Sequence, residues 1–464
     1  MTTELTTRAG LAALVGDGLP SACIDGRERP YLSLDAAAST SALPAVAQAV
    51  QEFLPWYSSV HRGAGLKSQR STNAYEAART AALCFAGRPA GGDDVAIICR
   101  NTTEAINHLA YRLRLETDDV VVTTVAEHHA NLLPWARLCR RRYVECDRRG
   151  TFTIEDVTAA LDDAARPRLL AITAASNVTG WIPPIDAIID AAHERHVPVL
   201  VDAAQLAAHR PLPSGADFVA WSGHKMYAPF GAGVLVGPRA AFTDGDPFLA
   251  GGGAVDLVGL DEVAWTDPPD REEAGSPNVI GAVALHAAID ALGGIGWDAI
   301  ATHDRAIQRR LHVALTEIPG VTVLGPDLPD AALPLATFTV AGVPHALVAA
   351  RLSNEHAIGV RHGCFCAHPY LVRLLGLDPQ AIAAHWDAVR HGDRHAMPGA
   401  VRASAGISTS LADIDRFAAA VADIASGRPA PVTYRQDSTT GDYHLDGSPG
   451  TGDRRALGAS CARG

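Results

Sequence analysis

Residues 197–225 read VPVLVDAAQLAAHRPLPSGADFVAWSGHK, and this stretch decides the fold. Val199–Ala203 and Phe218–Ser222 are near-continuous apolar runs, the pattern of strands buried on both faces. Each run ends in polar residues: Asp202 with Gln205 beyond it, then Ser222-Gly223-His224-Lys225. Outward from here the same pattern predicts strands at Val95–Cys99, Val120–Thr124, Tyr143–Cys146, Leu169–Ala174 and Gly233–Val236. Amphipathic stretches such as Glu104–Leu113 and Ile185–His196 lie between them. Such alternation predicts an α/β domain with a mainly parallel seven-stranded sheet covered by helices. Beyond it, Ala282–Ile318 reads as helical, and Val321–Leu324, Ala336–Val340 and Gly359–Arg361 read as strands of a smaller α+β domain closed by a helix at Leu411–Ile424. The expected organisation is an N-terminal arm over 1–30, a large domain over 31–285, a small domain over 286–435 and a polar, disordered tail over 436–464.

Composition narrows the function. The 464 residues carry a formal charge of −12, which argues against nucleic acid or an anionic membrane as partner. No apolar run approaches the roughly 18 residues of a membrane span. The N-terminus lacks the basic start and long apolar stretch of a signal peptide, so a cytoplasmic location is expected. Eight cysteines show no CxxC or zinc spacing, and no metal is expected. Lysine occurs only at Lys67 and Lys225. Any lysine chemistry therefore has two candidates.

Open parallel sheets bind ligands beyond the carboxyl ends of their strands. The residues at those ends here are Thr102-Thr103-Glu104 at a helix start, Glu127-His128-His129, Ser176-Asn177, Asp202 with Gln205, and Ser222 to Lys225. Alone, each has an ordinary structural reading as a cap, a surface charge or a satisfied polar side chain. Together they match the needs of pyridoxal 5′-phosphate. Its aldehyde needs an amine for a Schiff base (Lys225), and its ring nitrogen needs a carboxylate (Asp202). Its phosphate needs hydroxyls, imidazole and helix-end amides (Thr102, Thr103, Ser222, His224), and its ring accepts a stacked imidazole (His128). Asn177 and Gln205 suit its phenolic oxygen.

The segment Ser222-Gly223-His224-Lys225-Met-Tyr-Ala-Pro-Phe-Gly231 resembles the lysine segment of class V aminotransferases, in the cysteine desulfurase and selenocysteine lyase branch. Thr102-Thr103-Glu104, Glu127-His128-His129-Ala-Asn131, Val201-Asp202-Ala-Ala-Gln205, Ala274-Gly275-Ser276-Pro277-Asn278 and Arg402-Ala403-Ser404 follow in family order over roughly residues 30–425. The resemblance implies the type I fold of pyridoxal phosphate enzymes and a homodimer in which Ser276 reaches the phosphate of the partner's site. It also implies a role for the loop Val360-Arg361-His362-Gly363-Cys364-Phe365-Cys366-Ala367-His368-Pro369. There Cys366 takes sulfur from L-cysteine as a persulfide, Lys225 acts as general base, and Arg402, with Arg361 and Asn177, binds the substrate; a sulfur-acceptor protein is a possible partner.

Three features depart from the family pattern. Cys364 and Phe365 replace polar positions, about twenty residues are inserted between Pro369 and Arg402, and the tail from Gln436 has no counterpart. For Cys364 a second persulfide carrier, a metal ligand and a packing residue all stay open. His362, His368 and His391 are candidates, with Arg361, for favouring a thiolate. The competing reading keeps the cofactor but changes the reaction to an aminotransferase, epimerase or C–S lyase on another amino acid.

Overall fold

Seven strands build the central sheet: β1 Asp94–Cys99, β2 Val120–Thr124, β3 Arg140–Val144, β4 Pro167–Thr173, β5 Val199–Asp202, β6 Phe218–Ser222 and β7 Gly233–Pro238. The computed structural model describes residues 10–61, 63–327 and 331–446. The strand order is β1-β7-β6-β5-β4-β2-β3. β2–β3, β2–β4, β4–β5 and β5–β6 pair in parallel, and only β7 runs against its two neighbours. Residues of β2, β5 and β6 are buried throughout, as the unbroken apolar runs required.

The third strand starts earlier than its sequence suggests. Arg140–Val144, rather than Tyr143–Cys146, pairs with β2, Val120 facing Arg140. It is an edge strand whose first four residues are exposed, so no apolar run marks it. The expected continuous helix over 282–318 is two helices, Val279–Ile295 and Trp297–Thr316, bent by 80°. Gly296, at φ 93°, makes the bend, and its amide still caps the first helix through the Leu292 carbonyl at 3.0 Å. A boundary after residue 285 thus falls inside a helix. The packing changes hands beyond the first turn after the bend: Leu285, Ala288, Leu292 and Ile300 belong to the core under the large sheet, whereas Ile307, Leu311 and Leu315 belong to the second core.

That second core lies beneath a four-stranded antiparallel sheet of β8 Val321–Leu324, β9 Leu335–Val340, β10 Arg361–Gly363 and β11 Ala400–Ser404, ordered β8-β9-β11-β10. β11 is fully buried and carries Arg402. Ile358–Gly359 separates from β10 and pairs in parallel with Leu32–Ser33 instead. The N-terminal arm is fastened by backbone bonds from Leu11 and Ala12 to the Ile407 carbonyl and from Ile24 to the Asn354 carbonyl.

The tail departs from expectation where it can be described. Tyr434–Gln436 pairs with Tyr443–Leu445 as a hairpin. Asp437 orders its turn by accepting from the Thr439 amide and hydroxyl at 2.7 and 2.6 Å. The hairpin docks on the small unit: Asp442 meets His362 of β10 at 3.3 Å, and the Tyr434 hydroxyl donates to Glu355 at 3.1 Å. The expected disorder therefore does not extend to 436–446; residues 447–464 lie outside the described residues. The insertion folds largely into the helix Pro379–Arg390, capped by Asp378, with no buried residue. Among the described residues no single helix is long and apolar enough to cross a membrane.

Candidate active site

The carboxyl ends of β2, β4, β5 and β6 open on a cavity of about 260 Å³. Thr102, Thr103, His128, Asn177, Asp202, Gln205, Ser222, His224, Lys225, Arg361, Cys366 and Arg402 line it. Every site residue expected from the sequence is thus brought together except Ser276, which lies on an exposed segment outside it. Lys67, the other lysine, is exposed on the helix Leu66–Phe85.

One end of the cavity suits an anion. Asn101 caps the helix Thr102–Arg112 by accepting from the Glu104 amide at 3.0 Å, leaving first-turn amides at the cavity. The Thr102 amide donates to the Ser222 hydroxyl at 2.7 Å, and the two hydroxyls lie 2.6 Å apart. This joins the end of β6 to the helix start and holds Thr103 and His224 beside it.

The centre is shaped by burial. Lys225 is pushed down to about 8, chiefly by desolvation, with Asp202 opposing and Arg402 reinforcing the shift. Asp202 is raised by burial against the Ala204 amide, which it accepts at 3.0 Å, and against Lys225. His128 is driven down to about 3 by burial and then by Lys225, so it is neutral at physiological pH. Its Nδ1 accepts the Ala130 amide at 3.0 Å, which puts its proton on Nε2. Reductive methylation of Lys225 in the cofactor-free protein requires the unprotonated amine. Its rate should be half-maximal near pH 8 instead of near 10.5, and mass mapping of the modified lysine against pH checks this.

A third corner is built for a carboxylate. Arg402 is only 3% exposed, and its guanidinium donates to the Asn177 carbonyl at 2.8 Å and to Asp35 at 3.1 Å. Arg361 faces Arg402 across the β10–β11 register and reaches the other Asp35 oxygen at 3.8 Å. The Arg402 Nε is buried without a partner among the described residues. A planar fork with an unused donor is suited to a substrate carboxylate.

Cys366 stands over the cavity on a pinned loop. The Asn177 side-chain amide donates to the Phe365 carbonyl at 2.7 Å, and the His129 amide donates to the Cys366 carbonyl at 2.7 Å. The His129 ring accepts the His368 amide at 3.2 Å and stacks on the His368 ring at 5.1 Å. Phe365 is buried with its ring 5.1 Å from the Arg402 guanidinium. Phe365 and Cys366 both take left-handed backbone, at φ 55° and 56°. Such strain persists only where the surroundings impose it.

The sequence model of the family described as Aminotransferase class-V matches residues 32–417. The chain belongs to the class V aminotransferase family. Among its relatives, a probable cysteine desulfurase of Pseudomonas aeruginosa is 37% identical over 83% of this chain and 91% of its own length. One of Halalkalibacterium halodurans is 36% identical over 74% of this chain and 85% of its own. Among solved structures, the apo cysteine desulfurase of Thermococcus onnurineus superposes with a TM-score of 0.76 at 30% identity, covering 86% of this chain and 95% of that one. The Escherichia coli cysteine desulfurase CsdA gives 0.73 at 31% identity, covering 86% and 96%.

Class V aminotransferases are pyridoxal phosphate enzymes, and the donor set here fits that cofactor: one desolvated amine, one buried carboxylate and one anion-binding helix start around a single cavity. Two sequence expectations need refinement. Asn177 and Gln205 already spend an N–H each on backbone, Gln205 on the Ala37 carbonyl at 2.8 Å, so each offers its second N–H at most. Of the histidines placed near Cys366, His362 pairs with Asp442 and His391 bonds its own helix at Asp387, and neither lines the cavity.

Three contributors were given no role from the sequence, although Glu127 and His129 stand among its strand-end residues. Asp35 and His129 align and pin, as described. Glu127, buried, accepts from Thr124, Thr173 and Asn131 at 2.8, 3.0 and 2.8 Å, tying β2 to β4 just before His128. Burial nonetheless pushes its carboxyl up to about 8. The adjacency of Glu127 and His129 to His128 was the available signal; Asp35 offered none.

Proposed function

We propose that this chain is a pyridoxal-phosphate-dependent cysteine desulfurase that converts L-cysteine to alanine and receives the sulfur on Cys366. The observation that carries this reading is that Lys225, Asp202, Arg402 and Cys366 share one cavity. The names of the relatives support it. Bound cofactor supplies an electron sink next to the substrate Cα. Thr102, Thr103, Ser222 and His224 hold its phosphate, Asp202 its ring nitrogen, and His128 its ring face. Arg402 takes the substrate carboxylate, with Arg361 at its side. Lys225 would remove the Cα proton, a role matched to an amine that burial pushes down to about 8. The Cys366 thiolate then attacks the substrate sulfur. An S–S bond forms, the C–S bond breaks with its electron pair going to the substrate Cβ, and protons complete the methyl of alanine. A sulfur-acceptor protein or thiol removes the persulfide. In the homodimer of this reading, Ser276 reaches across to the phosphate of the partner's site, consistent with its exposure here.

The direct test is alanine release from L-cysteine with a thiol reductant, parent against Cys366→Ala. We expect steady alanine from the parent and a loss of at least about a hundredfold in the variant, because the nucleophile is gone. Equal rates, or pyruvate and ammonia in place of alanine, would turn the assignment to a different reaction of the same family. Asp202→Asn should retain bound cofactor, seen by absorbance, while turnover falls by roughly 10²–10³-fold, the scale of losing a preorganised electrostatic partner. Full turnover in that variant would remove Asp202 from its role.

A further inference from the structure

β3 ends the large sheet, so its outer side meets no further strand. The Arg140 amide bonds the Asp119 carbonyl and the Val144 carbonyl bonds the Val125 amide, both on the β2 side, which turns the backbone groups of Arg141 and Tyr143 outward. Arg140, Arg141, Arg142 and Tyr143 are exposed, and so are Arg137 before the strand and Arg148 and Arg149 after it. Neighbouring arginines are neutralised: Arg142 meets Asp163 at 2.6 Å, Arg166 meets Asp118 at 2.6 Å, and Arg195 meets Asp162 at 2.7 Å. Arg137, Arg140, Arg141, Arg148 and Arg149 meet no carboxylate among the described residues. These five lie within thirteen residues of a chain whose formal charge is −12, so the rim is a local reversal of the overall sign. Arg141 also lies 5.8 Å from the Tyr143 ring, two residue types enriched where proteins meet.

The rim is joined to the Cys366 loop. Asp147 holds the turn after β3 by accepting from the Arg149 and Thr151 amides at 2.9 and 2.8 Å. The Gly150 carbonyl accepts from the Tyr370 hydroxyl at 2.7 Å, and a Cβ at Gly150 would collide with that side chain. Arg373 grips Glu145 with two prongs at 2.6 and 2.7 Å. Tyr370 and Arg373 belong to the helix His368–Leu374, which starts two residues beyond Cys366. One helix of about 10 Å therefore separates the rim from the exposed Cys366.

We propose that the β3 rim docks an acidic, strand-forming segment of the sulfur-accepting protein and so brings its thiol to Cys366. This rests on the desulfurase reading. The free edge offers backbone pairing and the arginines offer charge; together they select an extended acidic segment. Charge on an edge strand also blunts self-pairing. Here, however, it continues past the strand at Arg137, Arg148 and Arg149, where there is no edge to protect. A second copy is a poor occupant, because two such edges would set arginine against arginine. Nucleic acid would leave the outward amides and carbonyls of the edge without strand partners. In the transfer the acceptor's thiolate attacks the terminal sulfur of the Cys366 persulfide. An S–S bond forms on the acceptor, the bond to Cys366 breaks, and Cys366 leaves as thiolate and takes up the acceptor's proton.

The test loads the full-length holoprotein with sulfur from L-cysteine and measures its discharge by three synthetic peptides ending in cysteine. Their bodies alternate valine with glutamate, with glutamine or with lysine. We expect the glutamate peptide to take sulfur at least about tenfold faster than the glutamine peptide at low salt, an advantage that shrinks as salt rises. In R140E/R141E/R148E/R149E the preference should pass to the lysine peptide, while alanine release with dithiothreitol stays at the parental rate. Equal discharge by the three peptides, or a glutamate preference that survives the charge reversal, would overturn docking at this rim. A change of sedimenting mass in the variant would do the same, by making the rim an interface between copies. So would tighter binding of a fluorescent oligothymidylate than of a thiol-free glutamate peptide. In all of these cases the parent would still release alanine; no alanine from the parent would overturn the desulfurase reading itself.

Discussion

Lys225→Ala should abolish the visible absorbance of the bound cofactor and reduce turnover by about 10²–10⁴-fold or more, since one amine serves as both anchor and general base. The fold should survive. The burial that holds this lysine near 8 acts against its charged form, so removing it relieves a desolvation penalty. Lys67→Ala is the matched control, because Lys67 is exposed on its helix and outside the cavity. Absorbance and turnover should be unchanged there. With only these two lysines in the chain, the pair of variants decides the assignment, and the opposite pattern would overturn it.

Arg402→Gln should act on binding of the substrate carboxylate. Each hydrogen bond to a charged group contributes about 1.5–3 kcal/mol, so loss of a two-pronged contact should lower kcat/KM by roughly a hundredfold or more, mostly through KM. Asp35 would also lose its 3.1 Å partner and be left with the more distant Arg361. Arg402→Lys should recover only part of the loss, because an ammonium cannot present the fork. Steady-state kinetics with L-cysteine checks both, and an unchanged KM in Arg402→Gln would exclude the carboxylate role.

The cavity was legible to the extent that its residues follow strands in sequence. Asp202 and Ser222 to Lys225 come directly after fully buried apolar runs, so strand ends and polar groups could be read together. What failed was long-range or unpatterned. Asp35 meets Arg402 across 367 residues, a pairing no local pattern encodes. β11 contains an arginine within five buried residues, so it lacks the look of an apolar strand. β3 is an exposed edge whose start is set by hydrogen bonding to β2. The helix break at Gly296 was marked by the glycine, but the apolar periodicity on both sides masked it. The tail hairpin is polar, and turn bonding together with docking orders it, not a core of its own.

The Cys366 loop leaves the small sheet through β10, yet Phe365, Ala367, Tyr370 and Leu371 all belong to the core under the large sheet. A segment hydrogen-bonded to one core and packed into the other cannot open by itself. Its amides should exchange with solvent at rates set by sub-global unfolding instead of by surface fluctuation. Under the proposed reaction the sulfur-accepting thiol is therefore presented from a stationary mount, and it is the sulfur's recipient that must do the travelling.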